Sequence, residues 1–293
     1  MDSKKNLIMY CMSLYDHNYD NFKYLKYEPV ALSDRDKFRK GWLKDNTGLN
    51  ISHKNKYYGE YTFYYWFWKN QLDKIEKDKW IGFSHYRHHW SSQNKIKSDD
   101  LNKIINKDNF YDFILKEKNI LWDDYDVILG DPMQVNGKYK ISKIVKKGLK
   151  ILFKDFSAFT ESKRNIKLHF DVFHGEGLLD KSIDLLDDEN RKDFKFYVEN
   201  NYSFNRENMF ICKSKNLMNE YFNSVFKWLE RCENIFGFNL EGYSKTRIYT
   251  FLAERYIAYW FNKNSKVLAW PVFFYDTNQN RINLENKLNF LKN

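Results

Sequence analysis

Five short apolar runs, each bounded by polar residues, restrict this 293-residue chain to one class of architecture. NLIMYCMS (6–13), WIGFSHY (80–86), YDVILGD (125–131), NMFICKS (208–214) and KVLAWPVFF (266–274) have the length and side chains of strands. Helical patterns lie between them. Over 215–236, Leu217, Tyr221, Val225, Trp228, Cys232 and Ile235 recur at steps of three and four, with Lys215, Asn219, Lys227 and Glu230 on the other face. The stretch YYGEYTFYYWFWKN (57–70) is aromatic nearly all round, so it predicts a buried helix, and a third helix is expected from Thr246 to Phe261. Strands that alternate with helices predict an α/β fold around a mostly parallel sheet. Ligands of such sheets bind beyond the carboxyl ends of the strands.

Composition narrows the partners. Hydrophobic residues make up 43% and aromatic residues 19%, which excludes a disordered chain. Three prolines and eleven glycines leave no obvious linker, so a single domain over 1–275 is expected, with TNQNRINLENKLNFLKN at its end read as a polar tail (276–293). The formal net charge of +10 favours anionic partners. It is spread along the chain, with KISKIVKKGLK (140–150) the one dense run, and so reads as background composition more than as a polyanion surface. Cys11, Cys212 and Cys232 are odd in number and lack paired spacing, so neither a disulfide framework nor a zinc knuckle is expected. With no cleavable leader pattern and no apolar stretch near twenty residues, the chain reads as cytoplasmic, with peripheral contact to the inner face of the membrane left open.

The chemistry-bearing residues cluster. WIGFSHYRHHW (80–90) leaves an apolar strand for His85, Arg87, His88 and His89. Zinc would suit three imidazoles, but Arg87 would set a fixed charge beside the metal; an anion site fits better, since Arg offers phosphate a planar fork of donors. A solvated strand end is the plain alternative. In HFDVFHGEGLLD (169–180), glycines flank Glu176 beside His169 and His174, a pattern that equally fits a structural turn. In TRIYTFLAERYIAYW (246–260), Arg247, Glu254 and Arg255 interrupt an apolar helix, where a structural ion pair competes with catalysis. DDYDV (123–127) carries an Asp-x-Asp, but it precedes its strand instead of following it.

Taken together and in order, these blocks resemble the bacterial polysaccharide-biosynthesis glycosyltransferases grouped as domain of unknown function 4422, found in capsule and O-antigen loci. The resemblance runs from DNTGLNISHKNKYYGEYTFYYWFWKN (45–70) through WIGFSHYRHHW, YDVILGDP, NMFICKS and RIYTFLAER to the closing WPV, about residues 5–275. Tyr61 stands where the family usually has Leu, His88 replaces a second Arg, and MYCMSLYDH lacks the family's Thr-His-Lys. The resemblance implies a GT-A-like fold that moves a hexose, galactofuranose from its UDP form being the first expectation, onto an oligosaccharide or lipid-linked glycan. It implies inversion by one in-line displacement, with a carboxylate taking the acceptor proton and cationic side chains in place of a metal cofactor. The donor would be held by Asn50, Ser52, Asn55, Glu60, His85, Arg87, Arg247 and Arg255. Glu254 and Glu176 are the candidate bases, and His174 a candidate acceptor contact. A nucleic-acid-binding protein and a metal-dependent hydrolase are the alternatives from other classes.

Overall fold

A computed structural model describes residues 6–136, 151, 160 and 163–276. The 140–150 basic run and residues 277–293 of the expected tail lie outside them. The five apolar runs all form strands. β1 (Leu7–Ser13), β2 (Glu28–Ala31), β3 (Leu43–Lys44), β4 (Trp80–His85), β5 (His88–Trp90), β6 (Val127–Gly130), β7 (Pro132–Gln134), β8 (Ser203–Asn205), β9 (Phe210–Cys212), β10 (Val267–Trp270) and β11 (Val272–Phe274) follow in chain order. The main sheet runs β10-β6-β9-β4-β1-β2-β3, with β5 and β11 off this path. Pro271 separates β10 from β11, as a residue without an N–H should.

Why these runs are apolar without alternation is visible in the packing. Tyr10, Met12, Ile81, Phe83, Val127, Leu129, Phe210 and Cys212 belong to one buried cluster, while Leu7, Met9, Cys11, Trp80, Ile128 and Ile211 belong to another. Successive side chains of a strand point to opposite faces, so both faces of the sheet are covered and most positions select an apolar residue. The aromatic share is spent on this interior: Trp80, Trp90, Trp122, Trp228 and Trp270 are fully buried. The three cysteines are buried and free.

Five helices bear on the functional edge of the sheet: α1 (Tyr61–Asn70), α2 (Ile166–His174), α3 (Asp188–Asn200), α4 (Lys215–Phe236) and α5 (Ile248–Asn264). The 215–236 periodicity gives a helix of those same bounds, its start capped by Ser214 Oγ accepting from Leu217 N–H at 3.2 Å. The helix expected over 57–70 is instead broken: a turn at Asn55–Tyr58 ends on Gly59 and α1 begins after Glu60. Gly59 has φ 54° and ψ −130°, backbone angles that only glycine adopts at low cost. Among the described residues no helix is long and apolar enough to cross a membrane.

Along the path β10-β6-β9-β4-β1-β2-β3 one strand departs from the parallel pattern, and it shapes that edge. β1 pairs in parallel with β2 and β4, and β10 with β6, but β9 runs antiparallel to both β4 and β6. The start of β9 therefore lies at the same edge as the carboxyl end of β4. The register sets Ile81 opposite Cys212 and Gly82 opposite Ile211.

Candidate active site

The edge where β1, β2 and β4 end and β9 begins collects most of the charged side chains singled out above. His85 closes β4, Tyr86 N–H donates to Met12 O at 2.9 Å, and Arg87 sits over the Tyr86 ring at 5.0 Å. Tyr86 in turn meets exposed Tyr15, just past the end of β1, edge to face at 5.3 Å. Arg87 is partly exposed and makes no ion pair among the described residues. His85 lies below its usual imidazole range because burial disfavours the cation, with Glu60 and Glu207 pulling the other way. Its Nε2 is buried without a hydrogen-bond partner. At neutral pH, then, His85 is a neutral hydrogen-bonding group and Arg87 supplies the charge.

The three histidines of the HYRHH stretch do not converge. His85 and His88 pair across the β4–β5 hairpin. His89 faces the other core, between Phe110 and Phe273, where burial lowers it to about 3. No group of three or more His, Cys, Asp or Glu among the described residues is arranged to hold a metal ion.

Opposite Arg87, the residues before β9 form a strained corner. Glu207 and Asn208 are consecutive non-glycine residues with φ 80° and 52°, a conformation costing on the order of 1–3 kcal/mol for each residue held there. The corner aims three groups. Glu207 N–H donates to Glu254 Oε1 at 2.9 Å, the Glu207 carboxylate pairs with His88 Nδ1 at 3.3 Å and Arg206 Nε at 3.2 Å, and Asn208 Nδ2 donates to Glu60 Oε1 at 2.6 Å. Tyr64 fixes the corner from below through its hydroxyl, which donates to Asn208 O at 2.6 Å.

Glu60 completes a second pair with Arg247 Nη2 at 3.4 Å. That guanidinium lies against Gly59, where any Cβ would overlap it, so the glycine serves both the turn and the arginine's approach. Glu254 forms the third pair, with Arg255 Nη1. Arg255 is only 1% exposed, and its Nη2 donates to His169 Nδ1 and to His174 Nε2, each at 3.2 Å. A guanidinium has no acceptor, so both imidazole nitrogens must accept there. Phe204 lies under the same guanidinium at 4.2 Å. Burial raises the Glu254 carboxyl above its ordinary range, opposed by Arg255 and reinforced by Glu207. Glu207 is raised for the same first reason, with Arg206 opposing. The side chains of Glu254 and Glu207 nevertheless keep 16% and 21% of their surface open to solvent.

The structure thus brings together Glu60, His85, Arg87, Arg247, Glu254 and Arg255, and adds Glu207 and Asn208, neither of which is among the residues expected above to form the site. Arg255 and His174 face each other and not the open edge: they brace Glu254. Glu176 is exposed in the turn after α2. Asn50, Ser52 and Asn55 shape the chain that leads to Glu60. Asn50 Oδ1 accepts from Ser52 N–H at 3.2 Å and from Ser52 Oγ at 2.8 Å, while Asn55 Nδ2 donates to Gly59 O at 2.9 Å and Thr62 Oγ1 at 3.0 Å.

The molecule is thus an α/β protein with a charged, strained corner at the carboxyl edge of its sheet. Residues 12–265 match the family described as domain of unknown function (DUF4422), and the chain belongs to that family. Its fold is similar to that of WbbM, a bifunctional glycosyltransferase solved in the apo state, with a TM-score of 0.54 and 18% sequence identity. The match covers 92% of this chain and 45% of that one, so this chain spans less than half of the length of WbbM. No curated protein sequence matches the chain.

Proposed function

We propose that the protein is a glycosyltransferase that moves a hexose from a nucleotide-sugar donor to a glycan, with UDP-galactofuranose as the leading donor and a capsular or O-antigen glycan as the product. The observation that carries this reading is the pairing, at one sheet edge, of a partly exposed arginine with no ion-pair partner among the described residues and a carboxylate held above its usual range by burial. A departing diphosphate needs the first, and an attacking hydroxyl needs the second. The family and the shared fold support the reading.

In this scheme Arg87 takes the diphosphate charge, His85 adds a neutral hydrogen bond, and Arg247 with Glu60 faces the donor sugar. Cationic side chains do the work that a divalent metal would otherwise do. The acceptor oxygen bonds to the anomeric carbon as the bond from that carbon to the diphosphate breaks. The hydroxyl proton passes to Glu254, UDP leaves with the bonding electrons, and the configuration inverts. Glu254 is favoured over Glu176 because its two oxygens are aimed by Glu207 N–H and Arg255, whereas Glu176 lies exposed in a turn.

A panel of UDP-sugars with EDTA present, read by mass spectrometry for UDP and for sugar on added glycans, tests it. UDP release from one sugar by the wild type, and none by Glu254→Gln, is expected. Absence of turnover with every donor, in EDTA and with added Mn²⁺, would overturn the transferase; turnover only with Mn²⁺ would remove the role given to Arg87.

A further inference from the structure

On α5, positions 248–261 are buried except for two, Phe251 and Glu254. Extended toward the amino end, the same face continues through Arg247 and Tyr243, giving steps of four, four and three residues. The spacing survives the junction at Arg247 because Arg247 N–H donates to Tyr243 O at 3.2 Å and Phe251 N–H to Arg247 O at 3.3 Å. Tyr243 is 72% exposed, its ring meeting Phe251 edge to face at 6.4 Å, with the Arg247 guanidinium 5.7 Å from its centre. His174 covers one face of Phe251 at 3.9 Å and holds that ring in place. An exposed tyrosine and a partly exposed phenylalanine thus lead along one helix face to the carboxylate assigned as base.

We infer that Tyr243 and Phe251 form an acceptor track, along which an oligosaccharide lies with C–H faces of its sugars against the rings and its terminal hydroxyl at Glu254. Eleven residues of helix span about 16 Å, so an occupant that reaches both ends is an oligosaccharide and not a single sugar. Aromatic rings offer C–H faces a flat apolar surface. The track is therefore a length-specificity device, in which residues far from the reacting bond contribute binding. This inference rests on the transferase reading and assigns it an acceptor subsite.

The test uses methyl glycosides of mono-, di- and tetrasaccharides in several sugar configurations, with donor hydrolysis measured alongside. In the wild type the acceptor KM should fall with length. In Tyr243→Ala the tetrasaccharide KM should rise about tenfold, the loss expected for one ring contact. The monosaccharide KM and donor hydrolysis should stay unchanged, and Tyr243→Trp should keep the wild-type length dependence. Tyr243 is exposed, so the alanine variant folds; Phe251→Ala, less safe beside His174, serves only as a second arm. A length-independent wild type, or an unaltered tetrasaccharide KM in Tyr243→Ala, would overturn the track while leaving the transferase in place. A wild type that consumes no donor would sink the transferase reading instead. The track as a glycan surface would then fall as well if saturation-transfer NMR showed no tetrasaccharide contact at Tyr243.

Discussion

At the scale of single residues, the site is a set of charges whose partners decide their chemistry. Arg87 lies over Tyr86 without an ion pair among the described residues, so Arg87→Ala should lower transfer at least a hundredfold and leave the melting temperature unchanged. Calorimetry beside a turnover assay checks both halves. Glu207 behaves oppositely. Burial raises its carboxyl in the folded state, so its contribution to stability is full below the unfolded value and is lost as pH rises through the folded value. Glu207→Gln should therefore flatten the rise in stability between neutral and mildly acid pH and melt higher than wild type at neutral pH, while turning over more slowly. A variant that melts lower at neutral pH would mean that the pairs with His88 and Arg206 outweigh the burial cost. His85, Arg87, Arg247 and Glu254 were legible in the sequence because each is a charged or polar interruption of an apolar run. Glu207, which sits just before such a run, and Asn208, which only opens one, were not picked out, because a left-handed corner leaves no mark when neither residue is glycine.

Secondary-structure elements explain how those residues meet. The antiparallel course of β9 carries the Glu207–Asn208 corner to the carboxyl edge, and strand order is not written in periodicity; a parallel β9 would put that corner at the far edge. The break at Gly59 is the second device. The aromatic run 57–70 reads as one helix, yet the glycine's positive φ ends a turn and re-aims Glu60 toward Arg247 and Asn208. Gly59→Ala should destabilise the fold by about 1–3 kcal/mol, from backbone strain, and its methyl should also displace Arg247. Chemical denaturation and the donor KM read these two effects separately. Along α5, Arg255 acts through Glu254. Replacing it by Lys, which lacks the fork that reaches Glu254, His169 and His174 together, should lower kcat with little change in donor KM and shift the acid limb of the pH profile. An unshifted profile would make Arg255 a purely structural cation.

Over the whole molecule, the same sheet that buries two apolar faces leaves its carboxyl edge as the place where polar groups can gather. The fold class was legible because continuous apolar strands and a clean helical period admit few other solutions; short strands such as β2, β3, β7 and β8 escaped notice because EPVA, LK, PMQ and SFN carry too little pattern. The net charge of +10 sits outside this logic, since the aromatics that would accompany a nucleic-acid platform fill the core. The central claim is that this edge binds a nucleotide sugar through arginine, and thermal unfolding with UDP and UDP-galactofuranose in EDTA tests it most directly. At a hundredfold excess over the dissociation constant, binding to the folded state adds about 2.7 kcal/mol of stability. The account predicts a clear upward shift for the wild type that disappears in Arg87→Ala; no shift with any nucleotide, with or without Mn²⁺, would contradict it.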